Sequence, residues 1–154
     1  MTNERTFKSG DEMLAAMVKE TVDRLEFAIA TRGHASIAVA GGRFPKPLFQ
    51  TLSQARLDWS KVIVTLGDDR WVGLDDDQSN EKLVRDNLFI NEAQNARFVS
   101  LKTSDNSPED AVETVSARLR TEMHWPLDIV FLGMGDDGHT ASLFPSSTPE
   151  ALGN

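Results

Sequence analysis

The chain has no cysteine in 154 residues, which excludes disulfides, thiolate metal sites and cysteine nucleophiles and fits a cytoplasmic protein. It also lacks any apolar run of membrane-spanning length, and residues 1–11 mix charged and polar groups with no apolar h-region, so neither a membrane span nor a signal peptide is read here. Cations are scarce: 16 Lys and Arg stand against 24 Asp and Glu, a formal charge of -8. Phosphate backbones and anionic lipids are bound by clustered Lys and Arg, so a general nucleic-acid or membrane surface is excluded, and an anionic small molecule would need a local basic pocket. No internal repeat, low-complexity tract or linker interrupts the chain. With 40% apolar and 26% charged residues, the remaining reading is one folded domain over residues 1–154, a size that typically buries ~68–70% of the surface its unfolded chain exposes.

Ser9 and Glu12 have capping-box spacing, and Leu14, Met17, Val18, Leu25, Ala28 and Ile29 recur at helical intervals until Gly33. This predicts an amphipathic helix over residues 10–32. Residues 36–40 form a short β-rich run ending at Gly41-Gly42, after which Pro45 sits in the first turn of a helix carrying Leu48, Phe49 and Leu52. The alternation returns with a strand over 61–66, a polar stretch over 67–79, a helix over 80–89 and a strand over 97–101. Ser107-Pro108-Glu109-Asp110 then starts a helix running to about Met123, and a last apolar strand over 127–132 feeds Gly133-Met134-Gly135. Apolar strands separated by helices predict an α/β fold: a doubly wound, mainly parallel, Rossmann-like sheet with helices on both faces, whose ligands bind outside the carboxyl ends of the strands.

Three loops would open on that edge. In the first, Gly41 and Gly42 let main-chain amides approach an anion at a helix start, a phosphate cradle, although a plain tight turn has the same sequence. In the second, Asp68, Asp69, Arg70 and Trp71 directly follow a strand; the carboxylates can hold sugar hydroxyls while the guanidinium attracts phosphate. The neighbouring Asp75-Asp76-Asp77 reads as a solvated run, not a metal site, since no EF-hand spacing is present.

The third loop runs Gly133-Met134-Gly135-Asp136-Asp137-Gly138-His139-Thr140-Ala141-Ser142 and satisfies the literal Gly-x-Gly-x-x-Gly dinucleotide pattern. That reading fails, because the fingerprint needs a substantial helix and an acidic residue about 20 positions on, whereas Pro145 comes first and Asp136 and Asp137 would repel a pyrophosphate. A histidine two residues after a carboxylate suits proton transfer, since imidazole titrates near neutral pH and Asp137 can fix its tautomer. A surface histidine capping a turn is the competing reading. His34 and His124 read as structural, and Ser142 lies in no Gly-x-Ser-x-Gly elbow, so it reads as a helix-start or hydrogen-bonding residue.

Together these residues resemble the 6-phosphogluconolactonase family, within the wider glucosamine-6-phosphate isomerase/deaminase superfamily. The run from Gly133 through His139-Thr140-Ala141-Ser142-Leu143-Phe144-Pro145 is close to the signature Gly-Met-Gly-x-Asp-Gly-His-Thr-Ala-Ser-Leu-Phe-Pro. Asp68-Asp69-Arg70-Trp71-Val72 is similar to Asp-Glu-Arg-Trp-Val, Ser79-Asn80 and Leu83 follow at the family spacing, and Trp59 precedes the second strand. The first loop departs: Ala40-Gly41-Gly42-Arg43-Phe44-Pro45 stands where the family usually has Ser-Gly-Gly-Ser-Thr-Pro, so two hydroxyls are missing and Arg43 is left to compensate with charge.

The resemblance implies hydrolysis of 6-phospho-D-glucono-1,5-lactone, a step of the oxidative pentose phosphate pathway, with no metal or organic cofactor. His139 would take the proton of the attacking water and Asp137 would support the imidazole. Arg70 or loop amides would stabilise the developing charge, Gly41, Gly42 and Arg43 would face the phosphate, and Asp68 and Asn80 would position the sugar or brace the loop. The rivals are an aminosugar-phosphate isomerase or deaminase and a non-catalytic sugar-phosphate-binding domain. Family members continue into further strand and helix beyond the position of Asn154. The expectation is therefore a fold lacking its carboxyl-terminal part, with weak or absent catalysis from these residues alone and with self-association or a complementing fragment covering the surface left open.

Overall fold

Ser9 starts the first helix: its hydroxyl accepts from the Glu12 amide (3.2 Å), and the Glu12 carboxylate accepts from the Lys8 amide (2.9 Å), one residue earlier than the usual return bond. This helix, α1, spans Gly10–Arg32 and stops at Gly33, whose φ of 80° lets its amide turn back to the Ile29 carbonyl. The structure is a computed structural model and describes residues 3–42 and 45–145. After α1 come β1 (Ala35–Val39), α2 (Pro45–Leu52), β2 (Val62–Leu66), α3 (Asn80–Asn87), β3 (Arg97–Val99), α4 (Pro108–Glu122) and β4 (Ile129–Val130), with 3-10 turns at Trp59–Lys61 and Asn91–Asn95.

Every strand pairing is parallel and the spatial order is β3-β2-β1-β4. The doubly wound α/β arrangement expected from the sequence is present. β1 keeps its expected length but starts one residue earlier, while the other three strands are shorter than the apolar runs: Lys61 belongs to a 3-10 turn, Ser100 turns its hydroxyl to Glu81, and β4 pairs with β1 alone among the described residues. Asp128 and Phe131 still extend the pairing of β4 with β1 by donating to the carbonyls of Ser36 and Ala38 (both 2.9 Å). The chain builds from β1 out to β3 and then returns across β1 to lay down β4, so the direction of winding reverses between β1 and β4. The loops leaving those two strands open side by side there, the usual ligand position in an open α/β sheet.

Side chains alternate across the sheet. Ala35, Ile37 and Val39 of β1 lie in register with Val62, Val64 and Leu66 of β2 and form one aliphatic face, against which Leu25 and Ala28 of α1, Leu48, Phe49 and Leu52 of α2 and Val84 of α3 pack. On the other face Ile63 and Val99 meet Met123 and Leu119 at the end of α4. The polar members of that face are satisfied, Ser36 donating to the His124 carbonyl and Thr65 to the Val99 carbonyl (both 2.8 Å). Helices therefore cover both faces. Val130, Leu132 and Met134, in and after β4, remain exposed. Among the described residues no helix is long and apolar enough to cross a membrane.

His34 precedes β1 and His124 lies shortly before β4, so both sit at the amino edge of the sheet, where their rings stack with centroids 3.6 Å apart. Desolvation, followed by the charges of His34 and Arg97, holds His124 below the ordinary histidine range. This placement is on the edge opposite the three loops.

Phe49 is fully buried where α2 meets the aliphatic face. Phe49→Ala should cost about 3–5 kcal/mol of stability, read as a lower denaturant midpoint at unchanged slope in equilibrium unfolding; a loss under about 1 kcal/mol would mean that this face repacks freely.

Candidate active site

The first loop leaves β1 through Gly41 and Gly42. Gly41 is required by proximity, since a Cβ there would lie 1.9 Å from Oδ1 of Asn80, and Gly42 by its backbone, with φ at 101°. Asn80, the first residue of α3, is thereby pressed against the end of β1 although it is reached through the loop after β2. Its Nδ2 donates to the Asp68 carbonyl (3.0 Å), so one buried amide joins the first two loops.

The second loop is organised by Asp69. One oxygen of its carboxylate accepts from the amides of Arg70 (2.8 Å) and Asn80 (2.6 Å), the other from the Glu81 amide (3.1 Å). Ser79 caps the same helix by accepting from the Lys82 amide (3.2 Å). Two acceptors thus satisfy the free amides at the start of α3, and the carboxylate lies at the favourable end of the helix dipole. The Arg70 guanidinium is exposed and donates to the Gln78 carbonyl (3.1 Å), making no ion pair with Asp68 or Asp69 among the described residues. It spans the loop through a carbonyl and leaves its remaining donors toward solvent.

The third loop folds on itself. The Gly135 amide donates to the His139 carbonyl (2.8 Å), the Gly138 amide donates to the Gly135 carbonyl (2.9 Å), and Thr140 and Leu143 exchange amide-carbonyl bonds (3.2 and 3.0 Å). Nδ1 of His139 lies 2.5 Å from Oδ1 of Asp137, which also accepts from the His139 amide (3.1 Å). The ring stacks on Phe144 (centroids 4.9 Å apart) and covers Gly135, where a Cβ would sit 2.2 Å from the imidazole. With Nδ1 facing a carboxylate, the proton belongs on Nδ1 and the Nε2 lone pair is free; Nε2 has no hydrogen-bond partner among the described residues. The imidazole contact, and next the His139 amide, hold Asp137 below the ordinary carboxylate range.

A hydrogen bond from Ser142 Oγ to Oδ2 of Asp68 (2.7 Å) ties the third loop to the second. The structure therefore brings His139 and Asp137 into contact, sets Asn80 against Gly41, and links Asp68 to the histidine loop. Arg43 lies outside the described residues. The sequence offered Asp69 to sugar hydroxyls, but both its oxygens accept from main-chain amides, and it read Ser142 as a helix-start or hydrogen-bonding residue, of which the hydrogen bond is found; Gly135 and Phe144 were not singled out as site residues. Gly135 carried a local signal, a glycine four residues before a histidine, but Asp69 meets the start of α3 across 11 positions and Ser142 meets Asp68 across 74, and neither contact left one. A separate cleft of about 270 Å³ opens between Arg70-Trp71 and α4, with Lys102 stacked 3.7 Å over the Trp71 ring; His139 does not line it.

The family model described as glucosamine-6-phosphate isomerases/6-phosphogluconolactonase matches residues 8–152. A 6-phosphogluconolactonase of Rhizobium meliloti (strain 1021) is 47% identical over 146 residues, covering 95% of this chain and 62% of its own length. The crystal structure of a 6-phosphogluconolactonase from Shewanella baltica OS155 superposes with a TM-score of 0.87 at 42% identity, over 90% of this chain and 59% of that one. A monomeric glucosamine-6-phosphate deaminase shares the fold, with a TM-score of 0.71 at 17% identity over 87% of this chain and 56% of the other. The chain spans about three fifths of the length of the curated relatives it matches.

Because His139 depresses the Asp137 carboxyl, that pairing favours the folded loop above the unfolded carboxylate pKa of about 3.9 and is lost as pH falls through the lower folded value. His139→Ala should therefore raise the Asp137 titration toward the ordinary carboxylate value in carbon-detected NMR. An Asp137 titration unmoved by the substitution would remove the imidazole as its cause.

Proposed function

The chain belongs to the glucosamine-6-phosphate isomerase/6-phosphogluconolactonase family, and on that premise we propose that it hydrolyses 6-phospho-D-glucono-1,5-lactone to 6-phospho-D-gluconate. The observation that carries this reading is the His139–Asp137 contact, which commits Nδ1 to the carboxylate and leaves Nε2 as a proton acceptor. The Nε2 lone pair takes a proton from water as the water oxygen adds to the lactone carbonyl. The carbonyl then re-forms, the bond to the ring oxygen breaks, and that oxygen takes the proton back from the imidazolium to become the C5 hydroxyl. One water is consumed, and the new carboxylic acid releases its proton to solvent. Asp137 steadies the imidazolium while the tetrahedral intermediate lasts.

The phosphate is assigned to the amides of Gly41 and Gly42 and to Arg43 from their sequence positions ahead of α2, with Arg70 as the cation on the second loop. Asp68 and Asn80 hold the loops around the sugar. The reaction as written uses protein groups and water alone. A chain without cysteine suits a reducing, cytoplasmic setting.

In parallel assays with 6-phosphogluconolactone and glucosamine 6-phosphate, the turnover shown by the 154-residue chain, however weak, should fall on the first alone; ammonia released from the second would favour the deaminase reading. His139→Ala should lower kcat by about 10²–10⁴-fold while leaving the thermal midpoint in place, and full turnover in that variant would take His139 out of the mechanism.

Arg70→Ala should raise KM more than it lowers kcat. If the guanidinium meets the phosphate directly, the parent's KM should climb steeply with ionic strength and the variant's should not. Equal salt dependence in the two proteins would leave Arg70 only its brace to the Gln78 carbonyl.

A further inference from the structure

Ser142 has no part in the proton transfer just described, yet it makes the one hydrogen bond that, among the described residues, joins residues 133–145 to another part of the molecule. All the other bonds of that segment are internal. They fasten Gly135 to His139 and to Gly138, Thr140 to Leu143, and His139 to Asp137, while Phe144 stacks on the imidazole. The histidine is thus built into a small unit that holds its own shape. The unit hangs from β4 through Leu132, Gly133 and Met134, which are exposed and cannot orient it by packing.

We propose that Ser142 is a positioning residue: its bond to Asp68 latches the histidine unit onto the loop after β2 and so sets where Nε2 of His139 stands relative to the substrate, an inference that rests on the lactonase reading. The far end of the latch is well anchored. The Asp68 carbonyl is held by Asn80, which lies against Gly41, and the next residue, Asp69, is bonded to the first amides of α3. The acceptor is a carboxylate, so the latch is charge-assisted and stronger than a hydroxyl–carbonyl bond would be. It also occupies one oxygen of Asp68, Oδ2, leaving that carboxylate only partly free for a sugar hydroxyl.

Substrate held by the first two loops and a base carried on the third define the expected signature. Ser142→Ala should lower kcat by about tenfold to a hundredfold, the scale of a misplaced reacting group, with KM and thermal midpoint nearly unchanged; Ser142→Thr, which keeps the hydroxyl, should restore most of it. Ser142→Ala combined with Asp68→Ala should be little worse than the poorer single variant, because both remove one bond. In parallel, ¹⁵N relaxation on the unliganded chain should show order parameters for residues 133–145 falling from the rigid range near about 0.85 toward about 0.6 in Ser142→Ala and recovering in Ser142→Thr.

Additive losses, with KM rising in the Asp68 variant, would place Asp68 on the substrate and overturn the latch. So would unchanged kcat together with unchanged loop order in Ser142→Ala. If the parent chain turns over no lactone, the lactonase reading fails by itself, and the relaxation comparison decides the latch alone: lost order upholds it and unchanged order refutes it.

Discussion

β1 is buried along its whole length and hydrogen-bonded on both edges, to β2 on one side and β4 on the other. The remaining features follow from this double pairing. A strand buried on both faces must be short and apolar throughout, as Ala35 to Val39 is apart from Ser36, whose hydroxyl is bonded. Because the chain reaches its two neighbours by separate crossovers, the carboxyl ends of three strands come together at one place on the sheet edge. The ladder fixes where these loops start, and the start of α3 then holds the second of them.

What holds the loops together is a set of polar contacts, each of which satisfies a group that the fold itself leaves open. The start of α3 has free amides, and Asp69 and Ser79 meet them. The close approach of Asn80 to Gly41 takes up space that no side chain can fill, and the Asn80 amide then holds the loop before it. Three carboxylates of this acidic chain, Asp68, Asp69 and Asp137, are engaged here, on a hydroxyl, on amides and on an amide and an imidazole. The exposed Arg70 guanidinium is left as the described cation of the second loop with donors to spare for an anion.

The histidine loop shows how proton-transfer geometry can be built locally. Asp137 and His139 are two residues apart, and Gly138 with φ at 87° folds the chain so that the carboxylate meets both the amide and the ring of the histidine. Gly135 provides the floor under the imidazole and Phe144 a face against it. Tautomer and ring plane are therefore set within one short segment, which among the described residues is hydrogen-bonded to the rest of the site through Ser142 alone.

The sequence by itself determined the element order, the parallel α/β class, the three loops and the His139–Asp137 pair, because each is written in short-range terms: capping residues, apolar runs of strand length, and a glycine-flanked histidine two positions from a carboxylate. It also carried the family resemblance, through the run from Gly133 to Pro145. Strand ends were less legible, since Lys61 and Ser100 have strand-compatible neighbours and only the 3-10 turn and the buried Glu81 carboxylate draw them away. Tertiary structure alone decided that Arg70 turns to Gln78 instead of its aspartate neighbours, that Asn80 closes on Gly41, and that Ser142 meets Asp68. The physical reason is common to all three. A polar side chain of that length can satisfy its hydrogen bonds in many ways, and which partner lies within hydrogen-bonding distance is set by how separate strands bring their loops together, a quantity that no local pattern encodes.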